Sequence, residues 1–554
     1  MKNTKPLGWI VKNTKKYIPA VVLVAALSAL ISVGYVLLAY VSGYVLDIAT
    51  GDKSGNIYLY VSLLFGLILS QAALYVINSS LRARVSGKTE MHLKSRILEG
   101  LIKKEYSGVA KLHSGDILTR FTSDVSVVVS AFVGIVPNAV SLVARLVVAL
   151  VVIASFSLKL MLVILGIGVV VGIAARLYSV IFKRIHKKFQ EAEGKTRSYM
   201  QECTENLVAI KAFGAKPAFS QRLKSFMMDT YKLLLKRNTV SNVSNIAVYI
   251  LFTGGYYAAL VWGAFMVSGS VMTFGVLMTL LNIVSQIRTP ITGVSGLIPQ
   301  YFSAIASAER IMELENIPDE PASVDPEDIE KIYDGMDELS LRDITFSYDG
   351  THNILSHANL SVKKGEAVAL QGISGEGKST IFRMLLGLYK PTEGELLLNT
   401  TEEGYKVDPS LRGLFAFVPQ GNMIFSGSIA ENIRFCNDQA TDEEIYAAAK
   451  CADIYDFIET LPQGFDTIVG ERGTGLSEGQ VQRIAIARAI LAGAPILLLD
   501  ECTSSLDEKT EGQVLKNIKS MTDRTIIIIS HRPAALELCD KIYEISNGAA
   551  IQKK

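Results

Sequence analysis

The chain has 554 residues, 49% of them hydrophobic and 19% charged, with a formal net charge of +2. Soluble domains carry about 25% charged residues, so this composition, with a mean hydropathy of +0.32, excludes an ordinary soluble enzyme. The small net charge excludes a nucleic-acid binder held by phosphate neutralisation, the apolar content excludes disorder, and the length implies more than one domain.

The average conceals a division. Residues 1–334 carry 34 Lys and Arg against 22 Asp and Glu, a balance of +12, and residues 335–554 carry 21 against 31, a balance of −10. A basic, apolar front followed by a mildly acidic, more polar rear reads as a membrane part joined to a soluble part. The five cysteines (Cys203, Cys436, Cys451, Cys502, Cys539) are odd in number, scattered and without CxxC spacing. They fit reduced cytosolic thiols rather than a disulfide framework or a zinc site.

About 20 apolar residues, rising 1.5 Å each, cross a bilayer core of about 30 Å. Six runs qualify, at 17–48, 57–80, 131–156, 158–182, 240–267 and 274–298, the middle pair divided only at Ser157. Lysines before the first run hint at a signal peptide, but the run far exceeds a hydrophobic signal region of roughly 7–15 residues, so a retained first helix is expected. About 16 residues precede it, so an exporter that cleaves leader peptides within the same chain is not expected. The loop 81–126 holds nine Lys and Arg and 183–237 holds thirteen, whereas the connections on the other side hold Lys53 or adjoin Lys159. Basic loops stay in the cytoplasm, so both termini and the rear domain are expected there. The spacing of Leu93, Ile97, Leu98 and Leu101 predicts amphipathic helix, so the spans should continue into the cytoplasm as long helical hairpins. Asn138, Arg145, Asn245, Asn282, Gln286 and Arg288 lie in or near the spans, where they either join helices or face a cavity.

The stretch 316–334 contains IPDEPASVDPEDIEK, a linker composition. From Leu339 onward, short apolar runs (AVAL, LLL, FAFV, ILLLD, TIIIIS) alternate with helical stretches, the pattern of an α/β nucleotide-binding domain. Gly372-Ile-Ser374-Gly375-Glu376-Gly377-Lys378-Ser379-Thr380 fits GxxxxGK[ST], follows AVAL and opens a helix. Its glycines let successive N–H groups face phosphate oxygens at a helix N-terminus. Lys378 would reach the β- and γ-phosphates and Ser379 would ligate Mg²⁺. Ile496-Leu-Leu-Leu-Asp500-Glu501 reads as a buried strand delivering two carboxylates with different roles, Asp500 to Mg²⁺ and Glu501 to the attacking water.

Further elements carry a resemblance. Leu476-Ser477-Glu478-Gly479-Gln480 before QRIAIARA, a helix expected to begin near Gln482, is similar to the signature of ATP-binding cassette proteins, and Thr525-Ile-Ile-Ile-Ile-Ser-His531 to their switch histidine. Gln420 in FAFVPQ resembles the Q-loop, Tyr348, 24 residues before Gly372, the adenine-stacking aromatic, and Ser504-Ser-Leu-Asp507 the D-loop. With six spans ahead, the whole chain resembles a half-transporter of the ABC exporter class. HSGDILTRFTSDV (113–125), ENLVAIKAFGAK (205–216) and AERIMEL (308–314) are similar to that class at its cytoplasmic loops and junction. The signature departs from the usual pattern at Glu478, where Gly is commonest, and Glu376 adds a second unusual carboxylate, expected to face solvent.

The resemblance implies an all-α six-helix transmembrane bundle with long cytoplasmic helical extensions (1–315), the linker 316–334, and an α/β P-loop nucleotide-binding domain (335–554). It implies ATP and Mg²⁺ bound by Tyr348, the loop from Gly372 to Thr380, Gln420 and Asp500, with Ser379, Gln420 and Asp500 at the metal. Glu501, His531 and Lys378 would be catalytic, and Ser477, Gly479 and Gln480 would cap the γ-phosphate on a second cassette. One chain therefore lacks a complete site, and a second half-transporter, identical or different, is the expected partner. The expected setting is the plasma membrane, the inner membrane in a bacterium, with ATP-driven export of a small-molecule, lipid or peptide substrate by alternating access and no nucleic acid involved. A lipid or lipid-linked glycan flippase and an ATP-gated channel or regulatory subunit are the alternatives.

Overall fold

The computed structural model describes the backbone of residues 5–321, 329–421, 423–470, 473, 475–521 and 524–554. Side chains at 160, 163–164, 167, 169–172, 174–177, 179–180, 183, 288–292 and 294–295 lie outside the described residues. These include Arg288 of the spans, and 322–328 of the linker are outside altogether. The chain divides into two compact units, one of residues 1–99 and 114–316 and the other of 100–113 and 317–554.

The first unit is helical. A short α1 (Pro6–Thr14) precedes α2 (Ile18–Ala49), α3 (Ile57–Ile102), α6 (Val125–Phe156), α7 (Leu158–Glu205), α9 (Lys216–Ser268) and α10 (Phe274–Glu315), and each of the six apolar runs falls inside one of these long helices, apart from Tyr17, which ends a 3₁₀ turn before α2. The short helices α4 (Tyr106–Val109), α5 (Ser114–Thr119) and α8 (Leu207–Ala212) lie in the polar connections. Among the described residues, four helical stretches are long and apolar enough to cross a membrane: Pro6–Ala49, Ile57–Ile102, Ser114–Phe156 and Lys216–Ser268. The described apolar part of α10, Phe274–Ile287, is shorter, and much of 158–182 falls on side chains outside the description. The 53 residues of α9 extend ~80 Å at 1.5 Å each, well over twice the bilayer core. The surplus carries the amphipathic pattern beyond the apolar run.

Close approach needs small residues. Where α2 crosses α10, a Cβ at Gly43 or Gly275 would overlap the other's carbonyl oxygen, and the Asp47 carboxylate accepts the Gly275 N–H at 2.7 Å. α6 packs against both α2 and α10, burying Val36, Ala149, Ile153, Leu280 and Ile283. Beyond the apolar runs two motifs noted in the sequence lock together. Asp124, nearly fully buried, accepts hydrogen bonds from Arg310 Nε (2.8 Å) and Ser307 Oγ (2.8 Å), and Arg310 Nη2 also reaches it. Arg120 donates to the Arg310 carbonyl and pairs with Glu313 at 2.9 Å. Burial alone would raise the Asp124 carboxyl, but the hydrogen bonds from Arg310 and Ser307 hold it below the ordinary carboxylate value.

In the second unit β1 (Met336–Phe346), β2 (Leu355–Lys363), β4 (Glu393–Thr400) and β5 (Gly404–Lys406) form an antiparallel sheet in the order β2-β1-β4-β5. β3 (Ala367–Gln371), β6 (Phe415–Val418), β9 (Ile496–Asp500), β10 (Thr525–Ile529), β11 (Lys541–Ser546) and β12 (Ala549–Gln552) form a second sheet, ordered β12-β11-β3-β10-β9-β6, while β7 (Gly427–Ser428) pairs with β8 (Ile468–Val469). The strands from β11 to β6 in that order run parallel. Their runs are continuously apolar because both faces are covered. Ala367, Ala369, Leu497 and Leu499 face a core shared with α13 (Ile429–Arg434), α14 (Asp442–Cys451), α15 (Tyr455–Glu459), α16 (Glu478–Leu491) and α17 (Glu508–Lys519). Val368, Leu370, Ile496 and Leu498, one residue out of phase, face the other core with β1, β2 and α12 (Lys378–Leu385). Residues 329–334 of the expected linker form α11 (Ile329–Asp334), whose Ile332 and Tyr333 are buried in that second core. α18 (Pro533–Glu537) follows β10. The loop tip around α4 belongs to this unit too: Glu105 N–H donates to the Pro318 carbonyl, Glu320 N–H to that of Lys103, and Lys390 pairs with Glu105 at 2.6 Å.

Candidate nucleotide site

The parallel register aligns the carboxyl ends of β3, β10, β9 and β6, and each delivers one part of the expected site. The edge beyond the carboxyl ends is where open α/β sheets bind ligands. The loop after β3 turns on three glycines in the left-handed region, Gly372 (φ 143°), Gly375 (φ 93°) and Gly377 (φ 98°), conformations that side-chain-bearing residues rarely adopt. A Cβ at Gly372 would also collide with the Ile545 carbonyl of β11. Lys378, buried at the start of α12, donates to the carbonyls of Gly372 (2.5 Å) and Ile373 (2.9 Å), which fixes its ammonium across the loop. Glu376 does not face open solvent as expected: it is half-buried and accepts the Ile373 N–H at 3.1 Å, occupying one donor of the loop. Ser374 stays exposed at the rim.

At the end of β9, Asp500 is 4% exposed and its buried Oδ1 lacks a hydrogen-bond partner among the described residues. Burial raises its carboxyl above the ordinary value, opposed by the Ser379 hydroxyl and by Arg383 and Lys378, with Glu501 adding to the rise. An orphaned buried oxygen beside a serine hydroxyl is a donor set that suits a hard divalent cation such as Mg²⁺. Glu501 adopts φ 46°, an unusual conformation for a non-glycine residue, while its N–H donates to the Ile529 carbonyl. Its Oε2 accepts from Gln420 Nε2 at 2.5 Å, so the ends of β6 and β9 meet through those two side chains. His531 lies exposed two residues beyond β10. Between Glu501 and Thr503, burial pushes the Cys502 thiol up to about 12, leaving it a packing residue.

Tyr348 presents a ring that is 41% exposed. Its hydroxyl is hydrogen-bonded with Thr380 (3.0 Å) and accepts from Arg383 (3.1 Å), and its edge contacts are with Phe346 (centroids 4.8 Å apart) and Tyr389 (5.1 Å). The ring is therefore fixed at several points.

The signature forms a separate station. The expected helix start near Gln482 lies four residues too late, because Ser477 N-caps α16 in a reciprocal box with Gln480, and α16 begins at Glu478. Glu478 is exposed in the first turn, where a carboxylate suits the helix dipole. A Cβ on Gly479 would sit 2.9 Å from the Ser505 carbonyl, so only glycine lets α16 lie against the D-loop. Among the described residues, no hydrogen bond joins 477–480 to 372–380. Sequence reasoning missed the residues holding this station. Gln482 binds Ser504 and Ser505, and Arg532 donates to the carbonyls of Ser504 and Leu506 and to Glu511, itself hydrogen-bonded by Thr503. Their only sequence signal was position, directly after the signature, D-loop and switch histidine.

Two family descriptions match. The ABC transporter transmembrane region covers residues 21–291, and a second description, ABC transporter, covers residues 355–504. The chain belongs to the ABC transporter family, with one helical transmembrane region and one ATPase domain fused in a single polypeptide. More particularly, it is similar to exporters. An ATP-dependent lipid A-core flippase of Haemophilus influenzae is 30% identical over 491 residues, 87% of this chain and 82% of that protein. ABC transporter B family member 1 of Dictyostelium discoideum is 30% identical over 460 residues, 82% of this chain and 50% of that protein. A bacterial Atm1-family ABC exporter solved with ATP bound superimposes with a TM-score of 0.78 at 26% identity, covering 97% of this chain and 94% of that one. The protein is a multi-pass membrane ATPase that couples ATP hydrolysis to transport.

Proposed function

We propose that two such chains form an exporter in which each ATP lies between the Walker loop of one chain and the signature of the other. The observation that carries this reading is the separation inside one chain of two complementary anion-binding stations, the loop 372–380 and the N-terminus of α16. In this reading Tyr348 stacks the base, and Lys378 and the loop N–H groups from Gly372 to Thr380 hold the phosphates. Ser379, Gln420 and Asp500 would hold Mg²⁺, which neutralises the phosphate charge developing in phosphoryl transfer. Glu501 orients the attacking water and takes its proton, and His531 contacts the γ-phosphate. Ser477, Gly479 and Gln480 of the partner complete the site, so ATP favours the joined state because only that state supplies both sets of donors. Hydrolysis removes the shared γ-phosphate and releases the chains.

The basic loops 81–126 and 183–237 support a cytoplasmic ATPase domain, and the likeness to an exporter supports outward transport. The flippase among the relatives supports a lipid cargo as the second reading.

Complementation tests the composite site. Lys378→Ala leaves a chain with an intact signature, and Gly479→Val leaves one with an intact Walker loop. Each reconstituted alone in liposomes should hydrolyse almost no ATP, and mixed in equal amounts they should recover part of the wild-type rate. A Gly479→Val chain that is fully active alone would contradict the shared site.

A further inference from the structure

Within the six apolar runs positive charge outnumbers negative. Across the six apolar runs the sequence places four cations, Arg145, Lys159, Arg176 and Arg288, and one carboxylate, Asp47. Asp47 is committed elsewhere, to Lys53 at 2.9 Å and to the Gly275 N–H. Lys159 adjoins the turn at Ser157, whereas Arg145 stands twelve residues before that turn, ~18 Å deep at 1.5 Å per residue. Near the middle of a bilayer, a charge without a counter-charge is costly and faces a cavity or the bundle interior.

Arg145 meets an aromatic ring, with no carboxylate paired to it among the described residues. Its guanidinium carbon lies 5.0 Å from the centroid of the Tyr35 ring on α2, and its buried Nε has no hydrogen-bond partner among the described residues. Gln286 of α10 donates to the Tyr35 carbonyl at 3.2 Å and keeps its own Oε1 buried and unpartnered. Asn138 stands seven residues before Arg145, on the same face of α6 two turns away, and accepts from Arg82 Nη2 of α3 at 3.1 Å. A Cβ at Gly134, one turn further back, would lie 3.2 Å from Gln300 and 3.4 Å from Arg82, so these side chains close on bare backbone. One face of α6 is thus a polar ladder with a guanidinium at each end, ~10 Å apart along the axis, and no ion pair with either among the described residues.

We propose that Arg145 and Arg82 bind the anionic group, phosphate or carboxylate, of a cargo whose remaining body is apolar, with Asn138 and Gln286 as neutral hydrogen-bond partners. The cargo supplies the counter-charge absent from the spans. This inference rests on the transport function proposed above and adds the chemical class of the substrate. The anion can belong to a membrane lipid or to an amphiphile arriving from water, and two probes separate these sources.

The full chain is reconstituted in phosphatidylcholine nanodiscs, and ATP hydrolysis is measured as the ratio of probe-stimulated to basal rate. The probes are phosphatidate in the bilayer, 1-naphthyl phosphate in solution, and tetraphenylphosphonium as a cation of comparable apolar character. At least one anion should raise the ratio several-fold and the cation should not, phosphatidate alone marking a lipid cargo and naphthyl phosphate alone an aqueous one. Arg145→Gln should abolish the rise, Arg145→Lys should keep most of it, Arg82→Gln should shift half-stimulation to several-fold higher probe, and Lys159→Gln should leave the response unchanged. If Arg145→Gln fails to assemble, the Arg145→Lys and Arg82→Gln responses decide. No stimulation of the wild type by either anion, or unaltered stimulation of the Arg145→Gln and Arg82→Gln variants, would overturn the inference. Basal hydrolysis that persists in those cases leaves the ATPase reading intact, whereas absence of any hydrolysis by the wild type contradicts that reading itself.

Discussion

Glu501→Gln should lower ATP hydrolysis about 10²–10³-fold while leaving ATP bound. The amide is nearly isosteric and its oxygen still accepts from Gln420, which meets the native carboxylate at 2.5 Å. What it loses is the ability to take a proton from water. The left-handed backbone at 501, with its N–H on the Ile529 carbonyl, is set by the turn out of β9 and is retained with either side chain. Lys378, Ser379 and Asp500 are untouched, so nucleotide binding should persist and ATP should accumulate on the protein. Phosphate release and retained radiolabelled ATP measure the two halves of the expectation; turnover at the wild-type rate would remove Glu501 from its assigned role.

The largest expected effect on stability lies in the other unit. Arg310→Ala removes the guanidinium that binds both oxygens of Asp124, a carboxylate almost completely shielded from water. Losing one partner of a buried pair strands the other. Because the Arg310 side chain is half exposed, water relieves part of the penalty, and the cost should be about 2–3 kcal/mol. Thermal unfolding in detergent should show the loss, and Arg310→Lys should recover part of it. The same pair sets a pH dependence. The folded Asp124 carboxyl lies below its unfolded value of about 3.9. Its stabilisation is therefore complete above that pH and disappears as pH falls through the lower folded value. Arg310→Ala should lack this acid-sensitive component, and an unchanged acid transition in the variant would locate the sensitivity elsewhere.

Much of this organisation was legible because each feature has a strong local cause. Continuous apolar runs such as ILLLD require cover on both faces, and their burial in two cores on alternating residues is the direct consequence. The glycines of the loop 372–377 announce left-handed backbone, and three of them adopt it. The start of α16 was misplaced because the apolar periodicity begins after the cap, while Ser477 and Gln480 form the box one turn earlier. Glu376 was expected in solvent because spacing says nothing of a carboxylate folding back onto its own loop. The strut from Arg532 to Glu511 was invisible for a different reason: its partners lie 21 to 28 residues apart and meet only through tertiary structure. Similarly, Arg145 stood out as a charge in a span, but its alignment with Asn138 and Arg82 needed the packing of α6 against its neighbours.

The most direct test of ATP-driven alternating access uses Asn282, exposed on α10 within the last apolar run. In a chain whose five native cysteines are replaced by serine, Asn282→Cys combined with Glu501→Gln is treated with an impermeant maleimide from the outer face of the membrane. ATP should make labelling several-fold faster than in its absence, because the bound nucleotide holds the spans open outward. Equal labelling with and without ATP, in protein shown to retain the nucleotide, would contradict the coupling.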